Sequence, residues 1–238
     1  MNNKVMDVLM NRKSVRVFEK EDISKDIKNE ILNAAMRAPT AGNSMLYTIL
    51  DITDQNIKDK LAVTCDNQPF IATAPMVLIF LADYRRWYRK FKQAECDTEI
   101  PVPQEGDLLL AVQDTVIAAH AACVAAENFG IGSCYIGDIL ENWETHKELL
   151  KLPEYVAPIS MLVFGYPTQQ QKDRPQPPRF PKEMIIFENV YRDLSDNELL
   201  EYKDNKSAKA FYERKYVSDF TKEMTRSSKE IIKNWSGK

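Results

Sequence analysis

The residues from Arg12 to Arg16 (Arg-Lys-Ser-Val-Arg) are the first cluster in the chain whose types and spacing suit a chemical task. Side chains alternate in direction along an extended segment, so Arg12, Ser14 and Arg16 would point to the same side. Two guanidinium groups and a hydroxyl on one side suit a phosphate monoester, because arginine offers forked donors to planar arrays of oxygens. The alternative interpretation is a solvated basic patch on the surface.

A second candidate, Pro39-Thr40-Ala41-Gly42-Asn43-Ser44, combines small residues with short polar side chains. Small residues let a ligand approach the backbone closely, and Thr40, Asn43 and Ser44 offer it polar groups. The same run is also typical of an ordinary connection between a helix and a strand. The pattern alone leaves both interpretations open.

The run from Gly130 to Asp138 superficially resembles the glycine fingerprint of a dinucleotide-binding loop. That fingerprint requires glycine where Tyr135 stands, and this run follows a predicted helix and precedes a predicted strand, the reverse of the required order. A dinucleotide-binding loop is therefore rejected. Gly130 is better explained as a helix end, whereas Gly137, after the strand, could expose backbone N–H groups to a ligand.

Cysteine and histidine patterns favour neither a metal site nor a nucleophilic centre. The four cysteines lack CxxC spacing, and with only two histidines they make a poor zinc set. His120 and Cys123 lie three apart on a predicted buried helix, but a nucleophilic pair is rejected because no third group orients it. His146 is predicted to be solvated on a charged helix. Reduced thiols in a cytoplasmic protein are the simplest interpretation.

Charge and hydropathy argue against two classes of partner. A net charge of −3 and a pI near 5.6 disfavour nucleic acid, since phosphate backbones require a concentrated positive field. The densest apolar run, Met76–Ala82, is too short to span a bilayer. The first residues lack the pattern of a secretory signal. We therefore expect a cytoplasmic protein without nucleic-acid or membrane partners.

Helical and strand patterns alternate over most of the chain. The spacing predicts helices over Lys4–Met10, from Ser24 to before Pro39, over Asn56–Thr64, Asp107–Phe129 and Asn142–Leu150, and strands over Leu46–Ile52, Met76–Ala82, Ser133–Ile136 and Pro158–Phe164. The stretch from Arg85 to Gly106 begins aromatic and charged and is predicted to end as a surface excursion. Tyr166–Pro181 is too rich in proline for a helix or a central strand.

The helix predicted over Asp107–Phe129 is apolar or small around much of its circumference, which predicts burial on several sides and a place at a subunit interface. The charged, mainly helical residues from about 190 to 238 hold too few apolar side chains for a core of their own. We therefore predict one domain over 1–238, with an extended C-terminal arm over about 190–238 that wraps the partner subunit.

The order of these features resembles that of the FMN-dependent nitroreductase family, in its oxygen-insensitive NADPH nitroreductase and flavin-reductase branch. The similar segments are RKSVRVF from Arg12, APTAGNS from Ala38, the alanine-rich helix, GIGSCYIGD from Gly130 and PPRFP from Pro177. The resemblance implies an α+β fold, with a central mixed or antiparallel sheet flanked by helices, in an intertwined homodimer. It also implies that tightly bound FMN does the chemistry, so no catalytic side chain and no metal are expected.

By this resemblance, each candidate segment helps to hold the flavin. The FMN phosphate and ribityl chain would be held by Arg12, Lys13, Ser14 and Arg16, with Arg179 closing the phosphate site. A loop that the partner subunit largely contributes would lie along the flavin: Thr40, Ala41, Gly42, Asn43 and Ser44. The ribityl chain or ring edge would be reached by Gln68. One face of the ring, with its backbone donors, would be lined by Tyr135, Ile136, Gly137 and Asp138.

Two positions depart from the family pattern. Pro177-Pro178-Arg179 stands where Lys-Pro-Arg is common, so one cationic phosphate contact is missing unless Arg174 replaces it. Met45 stands where the family usually has glutamine, which changes the flavin contacts expected of that loop.

The resemblance implies that hydride passes from NADPH or NADH through FMN to nitroaromatics, quinones or free flavin, by a ping-pong mechanism. A basic part of the tail would recognise the 2′-phosphate of NADPH, or else form a solvated helix face: Lys203, Lys206, Lys209, Arg214 and Lys215. Two alternatives remain. One is a specialised reductive dehalogenase with a lid over 85–106, and the other is a non-catalytic FMN-binding protein.

Overall fold

Residues 4–96 and 101–236 are described in the structure, which is a computed structural model. Two units are distinguished along the chain. One contains the residues up to Arg174 together with those from Met224 onward, and the other is Pro175–Glu223. The single domain and the arm around a partner subunit stay predictions.

The helices predicted from periodicity are present, with bounds shifted by a few residues. The prediction that Tyr166–Pro181 contains no helix is wrong, because a short helix forms over Gln169–Asp173, between Pro167 and Pro175. The first unit contains α1 Lys4–Asn11, α2 Lys25–Met36, α3 Gln55–Thr64, α4 Phe70–Thr73, α5 Arg85–Gln93, α6 Glu105–Asn128, α7 Trp143–Leu149 and α8 Gln169–Asp173, with 3₁₀ turns at Ala41–Asn43 and Gly137–Leu140. The second unit contains a 3₁₀ turn at Lys182–Met184, α9 Asp196–Tyr202, α10 Asn205–Lys215 and the start of α11 Asp219–Ser236. Ser24 caps α2 as predicted, since its side chain accepts a hydrogen bond from the N–H of Ile27 at 3.3 Å.

The central sheet of the first unit is antiparallel throughout. Its strands are β1 Tyr47–Asp51, β2 Met76–Asp83, β3 Gly132–Ile136 and β4 Val156–Gly165, in the order β1-β2-β4-β3. Every residue of β2 is buried, because apolar clusters cover both faces of the sheet. The predicted α+β architecture, with a sheet flanked by helices, is confirmed.

Helix α6 is the long apolar helix that the sequence predicts. Its alanines at 118, 119 and 122 are fully buried in one of the two apolar clusters, and the helix contacts α2, β2 and β4. By length and composition it would also be able to cross a membrane. Because α6 packs against the sheet, its apolar composition is that of a core helix.

One side of α6 is apolar but uncovered within the chain. This exposed stripe comprises Leu109, Leu110, Val116 and Ile117, whose side chains are between 41% and 63% exposed. Helix α1 adds exposed apolar side chains of its own, among them Val5 and Met10. Exposed apolar surface of this kind is what a subunit interface covers, so the exposed stripe fits the predicted homodimer.

The stretch from Arg85 to Gly106 contains a helix in its first half, the half described from the sequence only as aromatic and charged. Helix α5 (RRWYRKFKQ) buries none of its residues fully, although its aromatic side chains fall on one side at helical spacing. Trp87 and Phe91, one turn apart, stack with ring centroids 5.5 Å apart and give α5 its apolar side. Residues 97–100 of this stretch lie outside the described residues.

Candidate functional site

The segment around Ser14 runs extended beside the edge of the sheet. Ser14 pairs with Ser133 of β3 in a parallel bridge, and the N–H of Val15 donates to the carbonyl of Ser133 at 2.9 Å. Val15 is buried, Ser14 is half-buried and Arg16 is exposed. The backbone is therefore in the extended conformation that the sequence predicts for this cluster.

The thiol of Cys134, on β3, shows where the polar side chains of this segment converge. Burial raises the pKa of the Cys134 thiol, while Arg16, the Ser14 hydroxyl and Arg12 lie close enough to lower it. Two guanidinium groups and a hydroxyl thus lie in the neighbourhood of Cys134, in the middle of β3. We call Arg12, Ser14 and Arg16 the basic cradle, and its composition fits a phosphate monoester.

Lys13 points away from the basic cradle, towards the end of α8. Its Nζ donates to the carbonyl of Lys172 at 2.5 Å and to the carbonyl of Arg174. Arg174 in turn donates from Nη2 to the carbonyl of Ser14. The structure therefore brings Arg174 to the basic cradle. Arg179 lies in the second unit, and its role at the phosphate stays a prediction.

Gly132 permits the close approach of this segment to β3. A Cβ atom at position 132 would lie 2.8 Å from the Cβ of Val15, closer than real side chains approach each other. At Gly106, in the first turn of α6, an added Cβ would meet nothing within 4 Å. Substitution of Gly106 therefore serves as the control for substitution of Gly132.

We predict that Gly132→Ala destabilises the fold by about 1–3 kcal/mol, the usual cost of overpacking, and moves the basic cradle off β3. Gly106→Ala should leave stability unchanged or slightly increased, because alanine is the better helix former. Urea unfolding followed by tryptophan fluorescence measures both. Equal stabilities for the two variants would contradict the close approach.

A second group of predicted residues meets beyond the other end of β3. The side-chain Nε2 of Gln68 donates to Oδ2 of Asp138 and to the carbonyl of Cys65, each at 2.8 Å. Asp66 and Asn67, just before Gln68, adopt left-handed backbone conformations with φ near 59° and 50°. The tight turn and the two hydrogen bonds fix the Gln68 amide against the turn that follows β3.

The predicted residues between these two groups contribute in different ways. Tyr135 exposes 36% of its surface, whereas Ile136 is buried in the core, so Ile136 can offer only its backbone to a ligand. Gly137 is exposed, with nothing near its Cα. Four residues of extended chain separate Ser133 from Gly137 by about 13 Å. A ligand that touches both groups must therefore be elongated.

The loop from Thr40 to Ser44 is held by a residue that the sequence did not single out. The carboxylate of Asp114, buried on α6, accepts hydrogen bonds from the N–H of Ala41 at 2.8 Å and from that of Leu46 at 3.0 Å. Gly42 and Asn43 in the loop, and Met45 just after it, have positive φ values, between 50° and 57°. For Met45 this conformation is strained, and such strain persists only where hydrogen bonds hold it in place.

The same loop borders an open cleft of about 670 Å³. Its walls come from three elements and include Asn43, Trp87, Phe91 and Leu110. The indole Nε1 of Trp87 donates to the carbonyl of Ser44 at 2.7 Å, which fixes the indole to the loop. An aromatic, mostly apolar cleft of this size is suited to a small planar molecule.

The loop and the basic cradle lie far apart within one chain. Asp114, which holds the loop, and Glu127, which neighbours Arg12 and Lys13, are both on α6. Thirteen residues of helix separate them by about 20 Å. Within one chain, the loop and the basic cradle are therefore separate parts of the predicted site.

The prediction that His146 is solvated is wrong. His146 is fully buried, with Nδ1 3.0 Å from the carbonyl of Ile139 and Nε2 2.8 Å from the hydroxyl of Thr64. It thus joins α3 to the 3₁₀ turn that carries Gly137. Trp143, one turn earlier on α7, is also buried; this spacing of three residues was a signal of burial in the sequence.

We predict that His146 makes the fold sensitive to acid. Burial lowers the pKa of His146, so stability present above the ordinary histidine value of about 6.5 is lost as pH falls and the unfolded chain takes up the proton. His146→Gln should cost about 1–3 kcal/mol at pH 7.5, through its buried hydrogen bonds, and should lose less stability than the parent protein on going to pH 5.5.

The control for this prediction is His120→Gln, at the other histidine, which is exposed. Its urea midpoints should follow those of the parent protein at both pH values. If His146→Gln and the parent protein lose stability equally between pH 7.5 and 5.5, the claim that His146 makes the fold sensitive to acid is refuted.

The remaining candidate groups form no further centre. Cys123 lies with its Sγ 3.1 Å from Oγ of Ser133, while His120 faces outward on α6, which agrees with the rejection of a nucleophilic pair. Within residues 4–96 and 101–236, no cluster of three or more histidine, cysteine or acidic side chains is arranged to hold a metal ion.

Comparisons with known proteins identify the family and the fold. Residues 9–166 match the family model of the nitroreductase family. The chain is 34% identical over 200 residues to an oxygen-insensitive NADPH nitroreductase of Salmonella typhimurium, covering 83% of this chain and 78% of that protein. It is 32% identical over 198 residues to an NAD(P)H-dependent FMN reductase of Bacillus subtilis, covering 83% and 77%. The solved structure of B. megaterium NfrA1 has a TM-score of 0.79 at 30% identity, covering 89% of this chain and 85% of that one.

Proposed function

Because the chain belongs to the nitroreductase family, we propose that it is an FMN-dependent oxidoreductase that takes hydride from NADPH or NADH and reduces small acceptors. The acceptors would be nitroaromatics, quinones or free flavin, reached by ping-pong turnover. The observation that carries the proposal is the basic cradle, where Arg12, Ser14 and Arg16 lie near Cys134 on a segment bridged to β3.

The residues present fit FMN along its length. The basic cradle would hold the phosphate, because its guanidinium groups and hydroxyl donate hydrogen bonds to phosphate oxygens. About 13 Å along β3, Gln68 and Asp138 are fixed against each other beside the open backbone of Gly137. The two groups together suit a ligand with an anionic end and an extended polar chain that leads to a ring.

Catalysis then requires little of the side chains beyond positioning. When bound, FMN supplies the hydride and electron transfer itself. The protein's part is to anchor the phosphate, to direct backbone N–H groups at Gly137 and Asp138 towards the ring, and to leave one face open. Donors in this position stabilise negative charge without reorganising. The Gln68–Asp138 hydrogen bond would keep the turn that carries these donors rigid.

The loop from Thr40 to Ser44 would complete this site in a second copy of the chain. The loop lies about 20 Å along α6 from the basic cradle of its own chain, while the exposed stripe of α6 offers an apolar surface to a partner. A two-fold dimer presents the same surface from both copies. Two identical sites would result, each with a basic cradle from one chain and a loop from the other.

Mixed dimers test this shared site. Arg16→Ala damages the basic cradle, and Gly42→Val strains the loop, since valine disfavours the φ of 55° found there. Co-expressed as a heterodimer with two affinity tags, the variants should bind FMN at about half the sites, because one site receives two intact parts. Recovery of no FMN binding, while both homodimers stay folded, would contradict the shared site.

The second unit would serve the nicotinamide donor. Lys206, Lys209 and Arg214 are exposed on α10, and Lys203 lies over the ring of Phe211 at 5.6 Å. A 2′-phosphate on NADPH suits such a surface. This preference is measured by comparing kcat/KM for NADPH with kcat/KM for NADH, and equal values would refute the role of α10 in donor recognition.

The four cysteines are free, so the enzyme would work in the reducing cytoplasm.

The proposal is tested by purifying the protein and measuring its spectrum and turnover. We expect yellow protein with about one FMN per chain, and steady oxidation of NADPH or NADH once a quinone or nitroaromatic is added. Initial rates at several acceptor concentrations should give the parallel reciprocal plots of ping-pong turnover. Colourless protein that fails to bind added FMN would overturn the proposal. Yellow protein inert towards both donors would leave only an FMN-binding protein.

A further inference from the structure

Arg174 and Lys13 form a connected pair beside the basic cradle. Resting on the proposed function, we propose that Arg174 supplies a cationic contact to the FMN phosphate, and that Lys13 is the positioning residue that holds Arg174 there. Arg174 is the residue that directly follows α8, and it contacts the backbone of the basic cradle.

The ammonium group of Lys13 is engaged by the end of α8. It donates to the carbonyl of Lys172, in the last turn of α8, and to that of Arg174, whose backbone is extended just after the helix. Carbonyls in the last turn have no partner within the helix and carry the negative end of the helix dipole, which favours a cation. The charge of Lys13 therefore stabilises the backbone at Arg174, and the ammonium is engaged there rather than in the basic cradle.

The guanidinium of Arg174 is placed for a ligand. One of its N–H groups donates to the carbonyl of Ser14, which leaves other donors of the planar fork for phosphate oxygens. In the described part of the chain, Arg174 forms no ion pair with an acidic side chain. Its side chain is half-buried, so an anion beside it would be less screened by water than on an open surface.

Helix α8 also binds the backbone of the basic cradle at Arg16. Oε1 of Gln171, which is buried, accepts a hydrogen bond from the N–H of Arg16 at 3.2 Å. The backbone of Ser14 and that of Arg16 are thus both bound to residues 171–174. A shift of α8 would move the guanidinium of Arg174 and the basic cradle together, which is why Lys13 can act on phosphate binding without touching phosphate.

The test compares FMN with riboflavin, which lacks the phosphate. Dissociation constants are measured from flavin fluorescence, with the apoprotein of the parent chain, Arg174→Ala, Lys13→Met and the double variant. Arg174→Ala should bind FMN about tenfold or more weakly, the usual loss for one charged hydrogen bond, and should bind riboflavin as before. Lys13→Met should weaken FMN binding less. The double variant should match Arg174→Ala alone, because Lys13 acts through Arg174.

Two further variants serve as controls. Lys172→Ala removes an exposed positive charge next to the same turn but keeps the backbone carbonyl that Lys13 binds. Because exposed charges usually contribute little, the dissociation constant of this variant for FMN should stay within about twofold of the parent value. Arg174→Lys should restore part of the FMN affinity, since it keeps the charge without the fork. Melting temperatures show that each variant is folded.

Each outcome decides a separate claim. If the parent chain binds neither flavin, or binds both equally, the proposed phosphate site itself fails. If the parent chain prefers FMN and Arg174→Ala keeps that preference in full, the role of Arg174 fails alone. If the losses of Lys13→Met and Arg174→Ala multiply in the double variant, Lys13 contacts phosphate itself and is no positioning residue.

Discussion

Replacing Arg12, Ser14 and Arg16 together by alanine should yield folded, colourless protein. Each lost charged hydrogen bond to phosphate costs about 1.5–3 kcal/mol, so the FMN dissociation constant should rise by on the order of a thousandfold or more. The affinity for riboflavin should change little, because it has no phosphate for the basic cradle to bind. Flavin retained after gel filtration and fluorescence titration measure both effects.

The matched control removes the same number of positive charges elsewhere. Arg89 and Lys229 are exposed in the first unit, and Arg89→Ala/Lys229→Ala should retain FMN as the parent protein does. Arg16→Ala alone, at an exposed position, guards against misfolding of the triple variant and should still weaken FMN binding at least tenfold. A folded triple variant that keeps its flavin would refute the basic cradle as the phosphate anchor.

Asp114→Ala should destabilise the protein by about 2–5 kcal/mol, since each unsatisfied buried donor costs 1–3 kcal/mol. The variant leaves the N–H groups of Ala41 and Leu46 without the carboxylate that binds them. The loop from Thr40 to Ser44 should then lose its fixed conformation, and FMN binding should weaken. Urea midpoints and FMN dissociation constants measure these two effects.

Two other variants define what the Asp114 carboxylate does. Asp114→Asn keeps one acceptor oxygen and should fall between alanine and the parent protein in stability. Asp59→Ala removes an exposed carboxylate that binds Gln55 on its own helix, and should change stability by less than about 0.5 kcal/mol. A cost as small for Asp114→Ala as for Asp59→Ala would show that the loop does not depend on this carboxylate.

The parts of the fold that the sequence predicts are those governed by local patterns. The buried run Met76–Ala82 and the cap at Ser24 follow from neighbouring residues, and both agree with the structure within a residue or two. Helix α5 was not predicted, although the spacing of Trp87, Tyr88 and Phe91 in the sequence already indicates one side of a helix. The family resemblance, which rests on the order of the motifs, is confirmed by the match over residues 9–166.

The parts of the site that the sequence could not predict depend on long-range contacts. The carboxylate of Asp114 binds backbone groups about seventy residues away, and Lys13 binds carbonyls about 160 residues away. Neither contact leaves a pattern in the neighbouring sequence. The pairing of Gln68 with Asp138 likewise follows from the fold, although both residues were candidates from the resemblance.

The most direct test of the central claim is an anaerobic titration of the purified protein, followed by its absorbance spectrum. NADPH or NADH, added without an acceptor, should bleach the flavin band with about one donor per bound FMN, and a quinone or nitroaromatic added afterwards should restore it. A flavin band that neither donor bleaches, or a protein without that band after incubation with FMN, would contradict the account.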